Sequence, residues 1–192
     1  MKTPDLVFRG RRLSSDRALV LAAVESLPAA RSAVAEGADL VSFAGSDAES
    51  LVESARAAFP GLFVGVATAD ASVAAACCEA GADLILARAD LAEVAARYGV
   101  GYAAPAIPAE AGLPDSAVVL DIGEFRTPLP DSPVLASVPG DGTPGGLALA
   151  ALAASAGVAI LRTEHVRQVR HVAEMAASIA GTRPPAKAVR WE

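Results

Sequence analysis

The chain has 192 residues, 53% apolar, 20% charged and 4% aromatic, which fits one folded domain over 1–192 and excludes disordered, collagen-like and disulfide-rich classes. Sixteen Lys and Arg against twenty-two Asp and Glu leave a net charge of -6, so no global positive field draws nucleic acid or an anionic membrane surface. Lys occurs only at Lys2 and Lys187, which disfavours a Schiff-base lysine at the centre of a fold. Cys77 and Cys78 are neighbours, a poor geometry for bridging each other and a poor metal ligand set. Residues 1–12 are mostly polar, carry Arg9, Arg11 and Arg12 and lack a signal pattern, so reduced thiols in the cytoplasm are expected.

Apolar runs in chain order predict strands at 18–24, 39–43, 62–66, 83–86, 100–103, 118–121, 133–137 and 158–162. Helical patterns fall between them at 29–36, 47–59, 70–80, 90–98, 144–156 and 165–180. Three related phrases, Glu36-Gly-Ala-Asp-Leu-Val41, Glu79-Ala-Gly-Ala-Asp-Leu-Ile85 and Ser155-Ala-Gly-Val-Ala-Ile-Leu161, each read as a helix stopped by glycine and followed by a strand buried on both faces. Gly37 and Gly81 are 44 residues apart, matching two βα units and leaving room for about eight along the chain. Ser46-Asp-Ala-Glu49 and Asp90-Leu-Ala-Glu93 resemble capping boxes, and Thr143-Pro144 a cap residue followed by proline at the first turn.

Alternating strands and helices of this number predict a (β/α)8 TIM barrel. It must be pared down, because such barrels typically need about 250 residues. Pro105, Pro108 and Pro114 precede the sixth strand and Pro128 and Pro130 follow it, so helices five and six should be shortened or missing. Ile107, Leu113 and Phe125 would then cover the strands there, and any exposed remnant would invite a partner. The final helix is amphipathic, with Val166, Val169, Ala173, Ala176 and Ile179 on its apolar side. The helix at 144–156 has Leu147, Leu149, Leu152 and alanines all round, within a twenty-residue stretch (142–161) free of charge. Its glycines and serine argue against a membrane span, and a helix without a polar face is usually buried twice. A second subunit packing on helices 144–156 and 165–180 is therefore expected.

Ligands of a parallel barrel meet the carboxyl ends of its strands. The polar residues there are Glu25, Ser42, Thr68, Asp121, Ser137, Arg162 and Glu164. Asp121 and Arg162 each end a buried run, where an unpaired charge is costly, so they either pair with each other across the mouth or bind a ligand. Pro139-Gly-Asp-Gly-Thr-Pro-Gly-Gly146 is a glycine-rich loop entering a helix. Gly140 and Gly142 could cradle an anion beside Arg162, or simply connect two elements. No His-rich or Cys-rich metal pattern occurs, and no residue is assigned a catalytic role. A Mg2+ ion would have a place only if Glu25 and Asp121 converged.

Several segments together resemble the dihydropteroate synthases of the pterin-binding barrel family. The likeness spans nearly the whole chain. It is carried by residues 6–13 followed by Ser14-Ser-Asp-Arg17, similar to the hairpin that plugs that family's barrel, and by Val34-Ala-Glu-Gly-Ala-Asp-Leu-Val41. It continues through 79–85, Leu91-Ala-Glu-Val-Ala-Ala-Arg-Tyr-Gly-Val100, Gly112-Leu-Pro114, Val119-Leu-Asp-Ile-Gly123, Ile160-Leu-Arg162 and Ile179-Ala-Gly-Thr-Arg-Pro-Pro185. The family joins a pterin pyrophosphate to p-aminobenzoate with Mg2+ on the way to folate.

The resemblance implies that Asp121 is the pterin-binding aspartate and Arg162 the anion-binding arginine. Elsewhere the pattern is broken. Glu25 replaces the metal-binding asparagine, and the loop after it is cut to Leu27-Pro28. Gly45-Ser-Asp47 replaces Ser-Thr-Arg, Ala67 an aspartate, Leu86 an asparagine, Ser137-Val-Pro139 the Ser-Arg-Lys set, and Glu164 a histidine. Three lost polar contacts at roughly 1.5 kcal/mol each weaken pterin recognition about a thousandfold. The expectation is a dihydropteroate-synthase-like barrel that has lost the folate step and serves as a binding or partner subunit, a homodimer or a heterodimer with an active synthase. The alternative from the enzyme class is a pterin- or phosphate-binding transferase with residual activity, holding a small anionic or pterin-like ligand at the mouth. A short phosphate-binding barrel of another kind would share the length and the glycine loop.

Overall fold

A computed structural model describes residues 5–14, 16–108, 112–138 and 142–183. A two-stranded antiparallel hairpin, β1 (Val7–Phe8) and β2 (Arg11–Arg12), precedes the main sheet. Eight parallel strands then close into a barrel in sequence order: β3 (Leu19–Ala23), β4 (Leu40–Ala44), β5 (Phe63–Thr68), β6 (Leu84–Ala87), β7 (Gly101–Ala104), β8 (Val118–Glu124), β9 (Val134–Ser137) and β10 (Ile160–Arg162). Closure comes from β10 pairing with β3, where Ile160 faces Leu19.

The helices are α1 (Leu27–Glu36), α2 (Ala48–Ala58), α3 (Ala71–Glu79), α4 (Ala92–Tyr98), α5 (Pro144–Ala156) and α6 (Val166–Ile179). Between β7 and β8 only one 3-10 turn, Asp115–Ala117, is present among the described residues, and no helix separates β8 from β9. The prolines thus remove the two covers expected to be missing. Ile107, Leu113, Phe125 and Leu129 are half-buried and pack on the core in their place, so this flank shows no exposed large apolar side chain among the described residues.

The core has two layers, because alternate residues of a strand point to opposite faces. Leu19, Leu21, Leu40, Leu84, Leu86, Ala103, Val119, Leu135 and Ile160 fill the barrel, together with Leu6, Phe8 and Leu13 from the hairpin side. Val20, Val41, Phe43, Val64, Val66, Ile85, Tyr102, Ala136 and Leu161 pack outward against the helices. The N-terminal segment is therefore a plug for the barrel's lower end. Its turn uses positive φ at Arg9 (49°) and Gly10 (72°), the geometry that suits a tight hairpin. Phe8 lies against Gly101 so closely that a Cβ there would fall 2.4 Å from its ring.

Two of the three glycine phrases conceal a second device. Asp39, just ahead of β4, accepts hydrogen bonds from the Val20 amide (2.8 Å), from Arg17 (2.6 and 2.8 Å) and from Arg170 (3.1 Å). Asp83, just ahead of β6, accepts from the Val64 amide (2.9 Å), from Arg11 (3.2 Å) and from Arg56. Each carboxylate ties the preceding strand to two guanidiniums, one of them from the N-terminal segment. Because both are charged and hydrogen-bonded to their limit, their burial costs less than that of a lone carboxylate.

Local start signals fared unevenly. Thr143 caps α5 as expected, accepting from the Gly146 amide at 3.3 Å. The capping box at Ser46 does not form: α2 starts from Asp47 without a side-chain cap, and the Ser46 hydroxyl turns to the Asp47 carboxylate at 3.0 Å. At α4 the cap position is Leu91, although the Asp90 carboxylate still accepts from the Ala92 amide at 3.2 Å. Ile179, expected on the apolar side of the last helix, is 80% exposed, because Ala176 and Ala177 fill the buried face of the final turn and Ile179 lies off it. No described helix is long and apolar enough to cross a membrane.

Candidate functional site

The inward residues at the carboxyl ends of the strands define the barrel mouth. Val119, Leu135 and Ile160 point into the barrel, so Asp121, Ser137 and Arg162, two positions on, face the same interior. By the same alternation Ala23 on β3, Ala44 on β4, Ala67 on β5, Leu86 on β6 and Ala103 on β7 complete the ring. One wall of the mouth, over three adjacent strands, is polar. At the rim the remaining five strands offer methyl groups and one leucine, which neither hydrogen-bond a heterocycle nor ligate a cation; Ser42 on β4, two residues before Ala44, lies a layer deeper and is buried.

The polar wall is a self-contained network. The Arg162 guanidinium donates to Asp121 at 3.0 and 3.4 Å and to the Ser137 hydroxyl at 3.0 and 2.7 Å. Asp121 also accepts from the Gly123 amide at 3.0 Å, across the irregular pairing of β8 with β9. Arg162 keeps 30% of its side-chain surface exposed against 16% for Asp121, so solvent reaches the guanidinium and screens the pair. The internal Asp-Arg pair is thus one of the two arrangements open from sequence, and Ser137 is its third member.

The other candidates do not join it. Glu25 is exposed and makes no hydrogen bond or ion pair among the described residues. The Asp121 oxygens are already engaged by Arg162 and Gly123, so the convergence that a Mg2+ ion would require is not formed. Among the described residues no group of three or more His, Cys, Asp or Glu could hold a metal ion. Glu164 is exposed on the loop after β10, beside α1, in a shallow depression with Glu36 and Thr163. Gly142 takes a positive φ of 59° with the His165 ring packed against it, and Gly140 lies outside the described residues.

A cavity of about 780 Å³ opens at the opposite end of the barrel, between the N-terminal segment and the C-terminal ends of α5 and α6. Ala154, Ala173, Ala176, Ala177 and Ala180 form its floor. Its charged side chains serve the scaffold, Arg17 on Asp39 and Arg12 on Asp5. Large as it is, this end lies away from the strand termini where barrels place their chemistry, so the mouth is the candidate site. The two thiols are inert by environment: burial pushes Cys77 up to about 11 and Cys78 up to about 12.

No protein-family model matches the chain. The inactive dihydropteroate synthase 2 of Mycobacterium leprae is 29% identical over an alignment of 282 residues, covering 94% of this chain and 97% of that protein. The alignment is longer than the chain itself, so the relative carries insertions that are cut away here. The structure of Mycobacterium tuberculosis Rv1207 superposes with a TM-score of 0.77 at 31% identity, over 93% of this chain and 99% of that one. Yersinia pestis dihydropteroate synthase superposes at 0.78 with 19% identity, over 93% and 99%, and supports the fold alone. Alignment over nearly the whole length of these proteins, on the same barrel fold, makes this chain a member of the dihydropteroate-synthase-like family.

Proposed function

We propose that this chain is a non-catalytic member of its family, a binding or partner subunit of the cytoplasm in which the mouth of the barrel is closed by an internal ion pair. One observation carries the reading. The Arg162 guanidinium is occupied by Asp121 and Ser137, while the inward positions of the other five strands are Ala23, Ala44, Ala67, Leu86 and Ala103. A condensation that expels pyrophosphate needs free positive charge on the leaving group and fixed polar contacts on the heterocycle. Here one cation is engaged and the rim positions of the other five strands supply no polar side chain. The name inactive dihydropteroate synthase 2, given to the Mycobacterium leprae relative, agrees with this reading.

The deciding experiment is an assay of the purified chain with pterin pyrophosphate, p-aminobenzoate and Mg2+, alongside calorimetry with pterin, pyrophosphate and p-aminobenzoate singly. The expected outcome is no dihydropteroate above a heat-inactivated control. Turnover at a rate comparable with a synthase would overturn the proposal. A second reading rests on the partial exposure of Arg162: an anion could compete with Asp121 for its outer edge, giving a weak pterin- or phosphate-binding site with residual transferase activity. Saturable heat with pyrophosphate, abolished by Arg162→Ala, would favour that alternative.

A further inference from the structure

We infer that the outer face of β8 is a docking strip for one amphipathic helix of a partner protein, a helix edged with basic side chains. Outward residues of the helix-covered strands are sealed: Val20, Val41, Val64, Ile85 and Leu161 are all at 0% exposure. On β8 the outward set is Val118, Leu120 and Ile122, since Val119 fills the barrel and alternate residues face opposite ways. All three are only half-buried. The difference follows from the two absent helices, because a barrel strand is normally covered by the helices before and after it, and β8 has neither among the described residues. Leu113 and Phe125 of the flanking loops, themselves half-buried, narrow the strip without closing it. The strip is separate from the mouth, which Asp121 faces from the opposite side of the same strand.

Pairing, length and charge select the occupant. β8 pairs with β7 on one side and β9 on the other, so no strand edge is free for β-augmentation and only side chains are offered. At about 3.3 Å per residue its seven residues run about 23 Å, which a helix of about 15 residues matches at about 1.5 Å each. The helices that bound the gap, α4 and α5, are the kind of element this layer of the fold accepts. Between residues 105 and 133 the exposed charged side chains among the described residues are Asp115, Glu124, Asp131 and Arg126, and none of them makes an ion pair there. Asp115 precedes the strand and Glu124 ends it, so an acid stands at each end of the apolar strip. Basic side chains bordering a helix's apolar stripe would meet these carboxylates, whereas nucleic acid and anionic lipid are repelled. One helix on a strand of this length covers on the order of 300 Å² per partner, below a standard interface, so a transient, micromolar contact is expected.

Fluorescence anisotropy of the full chain with two labelled helical peptides of about 15 residues tests the inference. Both peptides carry a leucine stripe at helical spacing; one has Lys and Arg along its borders, the other Glu. At low salt the basic-edged peptide should saturate with a dissociation constant on the order of 10 µM, and the acid-edged one should bind about tenfold more weakly or worse. Added salt should shrink that gap. Leu120→Ser should weaken the basic-edged peptide about tenfold at unchanged circular dichroism. Glu124→Lys with Asp131→Lys should reverse the order of the two peptides, which loss of folding would not do. Ala57→Glu, on exposed α2 surface, should leave both unchanged. No saturation by either peptide up to about 1 mM, equal binding of both, or binding that ignores Leu120 would overturn the inference. So would self-association of the chain that Leu120→Ser abolishes, since it would name a second copy as the occupant.

Discussion

Arg162 reaches across the intervening strand β9 to meet Asp121 on β8, and the residue it passes over is Ser137, its register partner on β9. The three side chains satisfy one another without a ligand. That closure, rather than the loss of any single contact, is what separates this mouth from one poised to receive an anion.

The first prediction follows from it. Asp121→Ala removes the carboxylate and leaves Arg162 with Ser137 alone, at a stability loss of about 1 to 2 kcal/mol for a partly solvated pair. The freed guanidinium should then take up inorganic pyrophosphate that the native chain ignores. Titration calorimetry on both proteins checks this. Equal silence from native and variant would mean that the ion pair is not what closes the mouth.

The plug makes a steric prediction. A Cβ at Gly101 would meet the fully buried Phe8 ring at 2.4 Å, so Gly101→Ala should cost about 3 kcal/mol by overpacking. Phe8→Leu alone leaves a gap and also destabilises, but in the double variant the smaller side chain gives the new methyl room. Urea unfolding of the four proteins should therefore show a combined loss smaller than the sum, by about 1 kcal/mol or more. Strict additivity would mean that the two residues do not meet.

Much of the barrel was legible because its signals are local. Eight apolar runs, glycines that stop helices and prolines that forbid them act within a few residues of where they stand, and the strands formed within a residue or two of their expected limits, except β8, which runs three residues further, to Glu124. The roles of Asp39 and Asp83 were not legible in the same way. Their shared Gly-Ala-Asp context was visible, but Arg17, Arg170, Arg11 and Arg56 lie at sequence separations set by the closed topology. The same limit applied at the mouth. Spacing put Asp121, Ser137 and Arg162 at strand ends, yet only the order β8-β9-β10 decides that they converge while Glu25 stays in solvent.

Those carboxylates at the strand starts supply a further test. Asp83 is almost fully buried between Arg11 and Arg56, so Asp83→Asn leaves two guanidiniums facing a neutral amide and should cost about 3 to 5 kcal/mol. Asp39 is less enclosed, and Asp39→Asn should cost less. Denaturant midpoints give the ranking, and the reverse order would contradict the burial difference.

Thiol chemistry should report the closed outer layer. Cys77 and Cys78 lie on the buried side of α3, and desolvation keeps both protonated at neutral pH. Native protein should release almost no colour with a disulfide reagent at pH 8, and two equivalents in denaturant. Prompt reaction of either thiol in the folded chain would show that α3 opens.

The last described turn of the chain is fastened by charge, and its response to acid has a definite sign. Arg183 forms an ion pair with Glu174 at 2.6 Å and Arg170 donates a hydrogen bond to it at 2.6 Å, and these two cations, Arg183 foremost, lower the Glu174 carboxyl from 4.5 to about 2. A group more acidic when folded than when unfolded contributes its full stability above the unfolded value and loses it as pH falls toward the folded one. Native protein should therefore exceed Glu174→Gln by about 1 kcal/mol above pH 5, a figure reduced for solvent screening, and the gap should close between pH 4.5 and 2. A gap that stays constant through that range would show that glutamate and glutamine differ there in packing rather than in charge.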